Sequence, residues 1–347
     1  MHFPIAEVSI SLWYLFTIGF VVGACGGFMG MGGGWLLIPA LSALSTPLNI
    51  AVGTSLAQML GSSIVSTMRH WQFGNVALRL VAIMIPGSII GVEIGASLVE
   101  LFKSMGRARM DVTIGAIYVV VLLVVSIFTF FDARGDYLKA KRKAARHPGH
   151  SVHEYHTTPL RPLPRRVQTL KLPPCISCPV CGIASISLWA VLLVAIVMGL
   201  FTGLLGIGGG LIGLPLLVYI IGCPTHVAVG TIIVTIVISA GYGTLSHALK
   251  GNVDLLMAFF LLFGSACGAL VGSLATRQVS GIFIRGLFAI AALGAALSLV
   301  FNTFLHRQTL ALVTLLIVAG LACVVIIYVL VSGITTAHNH KRGSISP

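Results

Sequence analysis

The sequence predicts an all-α polytopic membrane bundle of about 8–10 spans, built from two homologous repeats with glycine-broken helices. Three observations predict it. The 347 residues are 57% hydrophobic and only 8% charged, with mean hydropathy +1.04, too little charge to cover a soluble fold of that length. The apolar residues gather in long runs, 12–28, 52–68, 78–102, 110–131, 183–205, 227–247, 253–275, 282–301 and 310–331. Each is near the roughly 20 residues a helix needs to cross a bilayer, too long for a strand and without the alternating polarity of a transmembrane barrel. Finally, the two halves of the chain match each other.

At the N-terminus, Glu7 precedes the first run and no basic region leads it, so no cleavable signal peptide is expected and the first helix is retained. The match between halves begins inside that helix. Gly23, Gly27, Gly30, Gly32, Gly33, Gly34 and Pro39 align with Gly199, Gly203, Gly206, Gly208, Gly209, Gly210 and Pro215 at a constant offset of 176. After a shift of one residue the match continues through Ala51–Thr54 with 228–231, His70 with His247, Gly74 with Gly251 and Gly87 with Gly264. Duplication of this kind marks secondary transporters, whose sites lie between the repeats.

Three successive glycines break a helix, and irregular backbone at membrane depth is tolerated only where it is buried or lines a cavity. The stretches 35–44 and 211–222 are about half a bilayer long at 1.5 Å per residue. Each reads as a half-helix starting at Gly32, Gly33 and Gly34 or at Gly208, Gly209 and Gly210, with its N–H groups and positive dipole end facing an anion. Gly23, Gly27, Gly199 and Gly203 have the spacing of close helix packing and are read that way.

The next helix of each half carries a polar stripe. Thr54, Ser55 and Gln58 in the first half, and Thr231, Thr235 and Ser239 in the second, can donate hydrogen bonds to an anion without trapping it in an ion pair. The alternative is that the hydroxyls bond helix to helix or back to their own carbonyls. Glu93 stands within a span, where acids are costly, and is a candidate carrier of a coupling proton. His70 and His247 end equivalent helices and are read as interfacial anchors or as gating switches.

Net charge is +13, and ten of the 21 Lys and Arg fall in residues 132–182, the long polar stretch between the halves. The positive-inside rule places that loop in the cytoplasm, and nucleic acid is not an expected partner. The loop holds Cys175, Cys178 and Cys181 and a run of His147, His150, His153 and His156, weak candidates for a metal, but no complete ligand set stands out. No cofactor is expected. The domains are then residues 1–131, the first repeat; 132–182, the cytoplasmic loop; 183–302, the second repeat; and 303–347, an extra C-terminal span and tail.

The paired G-[MI]-G-G-G-x4-P segments, the A-V-G-T elements and the H-x3-G-N-V elements resemble the TauE/SafE family of sulfite and organosulfur anion exporters. The resemblance covers roughly residues 12–130 and 185–302. It implies a multi-pass inner-membrane transporter, not an enzyme, whose partners are a small sulfur-containing anion, the bilayer and candidate coupling protons. Two features depart from the pattern: Ala77 stands where the second half has Asp254, and the central loop is long. The competing readings are a transition-metal transporter, suggested by the loop, and an intramembrane enzyme, for which Glu93, His70 and His247 offer no known constellation. The repeats could run parallel or inverted. Counting Lys and Arg on the two sides favours inverted, whereas the short second halves favour parallel.

Overall fold

The computed structural model describes residues 2–3, 5–6, 8–29, 31–72, 74, 76–146, 164, 168, 172–276 and 278–343. Among these it is an all-α bundle. The helices are α1 (Leu12–Met29), α2 (Gly34–Ala43), α3 (Leu48–Gln72), α4 (Leu78–Lys103), α5 (Arg107–Arg146), α6 (Leu188–Leu205), α7 (Gly210–Leu216), α8 (Thr225–Leu249), α9 (Leu255–Thr276), α10 (Gly281–Thr303) and α11 (Gln308–Gly343). A π-helical turn, Leu217–Ile221, extends α7. Nine of the helices are long and apolar enough to cross a membrane, and α2 and α7 with its extension are the two short apolar ones. Two small antiparallel hairpins complete the described fold, β1–β2 (His2–Phe3 and Val8–Ser9) and β3–β4 (Cys175–Cys178 and Ile183–Ser187). The central polar stretch is therefore structured at both ends: α5 runs on through Arg146, and β3–β4 leads into α6.

The closest packing pairs α1 with α9 and α4 with α6, and glycine permits it. A methyl group on Gly23 would overlap the carbonyl of Ser265, and one on Gly27 that of Ala269; on the other side, Gly199 meets Ser88 and Gly203 meets Val92. The packing reading of these four glycines holds. The contacts are reciprocal. Gly264, Gly268 and Gly272 lie against the carbonyls of Phe16, Phe20 and Ala24, while Gly87, Gly91 and Gly95 lie against Leu192, Ile196 and Leu200. Ascending numbers on both partners make each pair parallel.

At the centre, α3 and α8 run antiparallel: Gly243 faces Leu56, and Gly241 faces Leu60. The backbone N–H of Asp254 donates to Thr54 Oγ1 at 3.1 Å, and that of Ala77 donates to Thr231 Oγ1 at 3.1 Å. The departure at position 254 has a local reason. Asp254 Oδ1 accepts from Met257 N in the first turn of α9, and Oδ2 accepts from Ala6 N, fastening the N-terminal hairpin.

A buried ionic group joins α5, the π-helical turn and α10. Arg285 reaches Asp132 at 2.7 Å and Asp136 at 3.0 Å, and the Tyr219 hydroxyl donates to Asp132. This fixes the returning half-helix against the end of α5 that leads into the central loop. The turn after α2, by contrast, lies at the other end of the bundle, where Gln308 Nε2 donates to Ser45 Oγ.

Candidate functional site

Both glycine breaks form where the sequence places them. Gly32 and Gly33 have φ of 72° and 87°, and Gly208 and Gly209 have 67° and 70°, the left-handed region that penalises a side chain. Gly33 and Gly209 are the N-caps of α2 and α7, so each half-helix begins inside the bundle with no side-chain cap. The chain reverses at each break: Gly33 packs against Val22 of α1, and Gly209 against Met198 and Thr202 of α6.

The two breaks meet. A methyl on Gly34 would overlap the Gly206 carbonyl, and one on Gly210 the backbone of Met31. Between them lies Met59, halfway along α3. The Gly34 N–H donates to Met59 Sδ at 3.3 Å, and a methyl on Gly208 would lie 2.8 Å from the same sulfur. Ile236, halfway along α8, closes the other side at 3.4 Å from that position.

The polar stripe is buried, and much of it is already engaged. Ser55 Oγ donates to the Gly206 carbonyl at 2.7 Å, linking α3 to the second break. Gln58 Nε2 donates to Ser62 Oγ at 3.3 Å, while its Oε1 is buried without a hydrogen-bond partner. Thr235 donates to the Thr231 carbonyl, and Ser239 to that of Ile236. Thr54 and Thr231 hold the backbone of the opposite half, as described. The structure therefore places Gly32, Gly34 and Gly208 against Met59, with Gln58 next to it in sequence, while Gly33 and Gly209 pack back onto α1 and α6, Gly210 meets Met31 and Ser55 bonds to Gly206. It assigns Thr54 and Thr231 helix-to-helix bonds.

Sequence reasoning missed three residues here. Met59 leaves no polar signal, and its counterpart is the apolar Ile236. Ser63 has a buried hydroxyl with no hydrogen-bond partner, 3.4 Å from where a methyl on Gly32 would sit. Tyr118 donates to the Gly34 carbonyl at 3.3 Å from α5, outside the matched glycine segments.

The other candidates lie apart from the breaks. His247 is fully buried and bonds through Nε2 to the Gly203 carbonyl at 2.8 Å; His70 is equally buried, against the backbone of Gly27. Both side chains are thus buried within the bundle, near equivalent helix ends. Glu93 pairs with Lys250 at 2.9 Å and accepts from Ser246 at 2.8 Å and Tyr242 at 3.1 Å.

In the hairpin, Cys175 is exposed, Cys178 and Cys181 are buried, and Cys181 Sγ lies 3.4 Å from Cys223 Sγ. Contact with Cys181 and burial hold the Cys178 thiol well above its ordinary pKa. Among the described residues no trio of His, Cys, Asp or Glu is disposed to hold a metal ion. The four loop histidines fall outside the described residues.

Helical hairpins that break at membrane depth inside a bundle of long apolar helices define a multi-pass membrane transporter. Residues 15–299 match the family described as "Sulfite exporter TauE/SafE", and the chain belongs to that family. It is 26% identical to "Probable membrane transporter protein YunE" of Bacillus subtilis (strain 168), across 78% of this chain and 90% of that one. The same identity relates it to YjnA of that organism, also described as a probable membrane transporter, across 75% and 88%. A shorter match, 36% identical over 20% of this chain and 28% of the relative, is to the probable membrane transporter MJ0441 of Methanocaldococcus jannaschii. No solved structure matches.

Proposed function

We propose that the protein is a secondary exporter of small sulfur-containing anions, such as sulfite or sulfonates, across the inner membrane. The observation that carries this reading is the meeting of two uncapped half-helix N-termini at Met59. Their backbone N–H groups and dipole ends favour negative charge. In this conformation the Gly34 N–H is given to a thioether, a weak acceptor. An anion oxygen is a stronger acceptor and displaces it once the Met59 side chain moves aside. Ser63, whose buried hydroxyl has no partner, adds a neutral donor, so the anion is held without a cation to trap it. The substrate class rests on the family's description; the geometry itself supports a small anion.

The reciprocal packing supports an arrangement in which the two halves are inverted repeats sharing this centre, as alternating access requires. Glu93 stands to carry the coupling proton, bonded to Lys250, Ser246 and Tyr242.

The test is a thermal-shift screen of purified protein against sulfite, thiosulfate, sulfoacetate and taurine, with acetate and succinate as controls. Bound substrate stabilises the fold by mass action, by about 2.7 kcal/mol at a hundredfold excess over Kd. We expect selective stabilisation by a sulfur oxyanion. Equal response to the carboxylates would remove the substrate assignment.

A further inference from the structure

The two half-helices are held at their far ends by different forces. At the central-loop end of the bundle, the π-helical turn after α7, the end of α5 and the start of α10 converge on one ionic group. Arg285 Nη1 donates to Asp132 at 2.7 Å and to the Tyr219 hydroxyl at 3.2 Å, and Nη2 donates to Asp136 at 3.0 Å. All three charged side chains are 6% exposed or less, so the group is dry. The Tyr219 ring also stands edge-on to Phe128 of α5, with ring centres 4.9 Å apart.

The reciprocal elements meet at the opposite end: the end of α2, the start of α5 and the end of α10. There the tie from α10 to α2 is neutral. Asn302 Nδ2 donates to Ser42 Oγ at 2.8 Å and to the Ser42 carbonyl at 2.9 Å. A cavity of about 360 Å³ remains among these elements, lined by Val112 of α5 and Thr303 of α10 among others. The bundle is thus tied shut by charge at one end and left open at the other.

A buried ionic group is a poor source of net stability, because desolvation offsets much of the attraction. It is well suited to switching. Its charges are satisfied when paired in the dry interior, and again when the helices part and water reaches them. A half-parted arrangement leaves them neither paired nor hydrated, so the group favours two discrete states. Its position couples it to the centre. The 7 residues of α7 and the 5 of its extension make a rod of about 18 Å. One end of that rod is the central break at Gly209, and the other carries Tyr219. Gly209 and Gly222 bracket it with φ of 70° and 89°, backbone positions where a helix can pivot. A π-helical turn is itself rare and is found mostly at functional sites.

We propose that Arg285, Asp132, Asp136 and Tyr219 form a gate that closes the central-loop side of the bundle. Paired, they hold the far end of α7 against α5 and α10. Parted, they free that end to swing, which opens the loop side and, through the rod, shifts the break at Gly209. The gate rests on the transporter reading and not on the identity of the cargo.

The test uses full-length protein in lipid nanodiscs with the native cysteines replaced, and two single reporters read in separate samples. Ile221→Cys reports on the gate, where the native residue is fully buried, and Thr303→Cys reports on the cavity. The probe is a water-soluble maleimide, and its rate of reaction is measured without added anion, so a failed anion screen leaves the outcome intact. Arg285→Gln is expected to raise the rate at position 221 roughly tenfold and to lower it at position 303 roughly threefold, because opening one side closes the other. Tyr219→Phe keeps the ring and removes one hydroxyl, so it spares folding should the arginine variant fail. It is expected to shift both rates in the same directions, by roughly threefold at position 221. A purely structural tie predicts faster reaction at both positions, or at position 221 alone. Either pattern overturns the gate, as does an unchanged or slower rate at position 221.

Discussion

Gly33 and Gly209 occupy equivalent caps, yet a methyl group meets different surroundings at each. On Gly33 it would lie 2.6 Å from both the carbonyl oxygen and Cγ1 of Val22, whereas on Gly209 its nearest neighbour is Thr202 Oγ1 at 2.9 Å. In an ordinary helix Gly→Ala stabilises by roughly 0.5–1 kcal/mol. Here both positions have positive φ, so alanine costs about 1 kcal/mol or more in backbone strain alone. We expect both variants to lose most anion transport in proteoliposomes, with Gly33→Ala also lowering the thermal midpoint more than Gly209→Ala. Normal transport by both would reduce the breaks to packing features. The breaks were legible because only glycine accepts such a turn. Met59 was not, because a methionine within an apolar helix carries no sign of the backbone N–H it will receive from a segment 25 residues away. The stripe was legible as buried polarity, but not its use. Thr54 and Thr231 bond to the opposite half, and no local pattern encodes a partner 200 or 154 residues distant.

Among the elements, the long helices followed directly from apolar length, and the half-helices α2 and α7 from length and glycine together. The polar stretch between the halves was harder to read, because strands as short as β3 and β4 lack a periodicity that stands out from loop sequence. That hairpin now has a role: it abuts the loop after the π-helical turn through the contact of Cys181 with Cys223. The contact joins two small apolar groups and lies far from the meeting of the breaks. Replacing Cys175, Cys178 and Cys181 together with Ser is therefore expected to leave transport within about twofold of wild type. The expected cost is stability, because two buried thiols become hydroxyls in need of partners, at roughly 1–3 kcal/mol for each left unsatisfied. Transport lost at normal expression and folding, together with transport by the parent protein that depends on a thiophilic metal, would favour metal transport instead.

At the scale of the whole molecule the open question was whether the halves run parallel or inverted, and the two readings place the turn after α10 on different sides. In the parallel arrangement each broken pair, α1–α2 and α6–α7, crosses the membrane once, which puts the turn around Leu305 on the same side as the central loop. In the inverted arrangement each pair returns to the side it came from, and that turn emerges opposite the loop. Several contacts favour the inverted arrangement. Gly33 folds back onto Val22 and Gly209 onto Met198. Tyr219, after the second break, bonds to Asp132 at the loop end of α5, while Ser45, Arg107 and His306 share one cavity. The physical reason sequence could not decide is that a half-helix is too short to declare which way it points. Single cysteines at Leu172 and Leu305, both exposed, provide the test in a background with the native cysteines replaced. Of the 21 Lys and Arg, ten lie in residues 132–182, so Leu172 is expected to face the cytoplasm. An impermeant maleimide added to intact cells should then label Leu305→Cys and spare Leu172→Cys, with both labelled after permeabilisation. Labelling of neither in intact cells would require the parallel arrangement, and labelling of Leu172→Cys alone would reverse the orientation of the whole bundle.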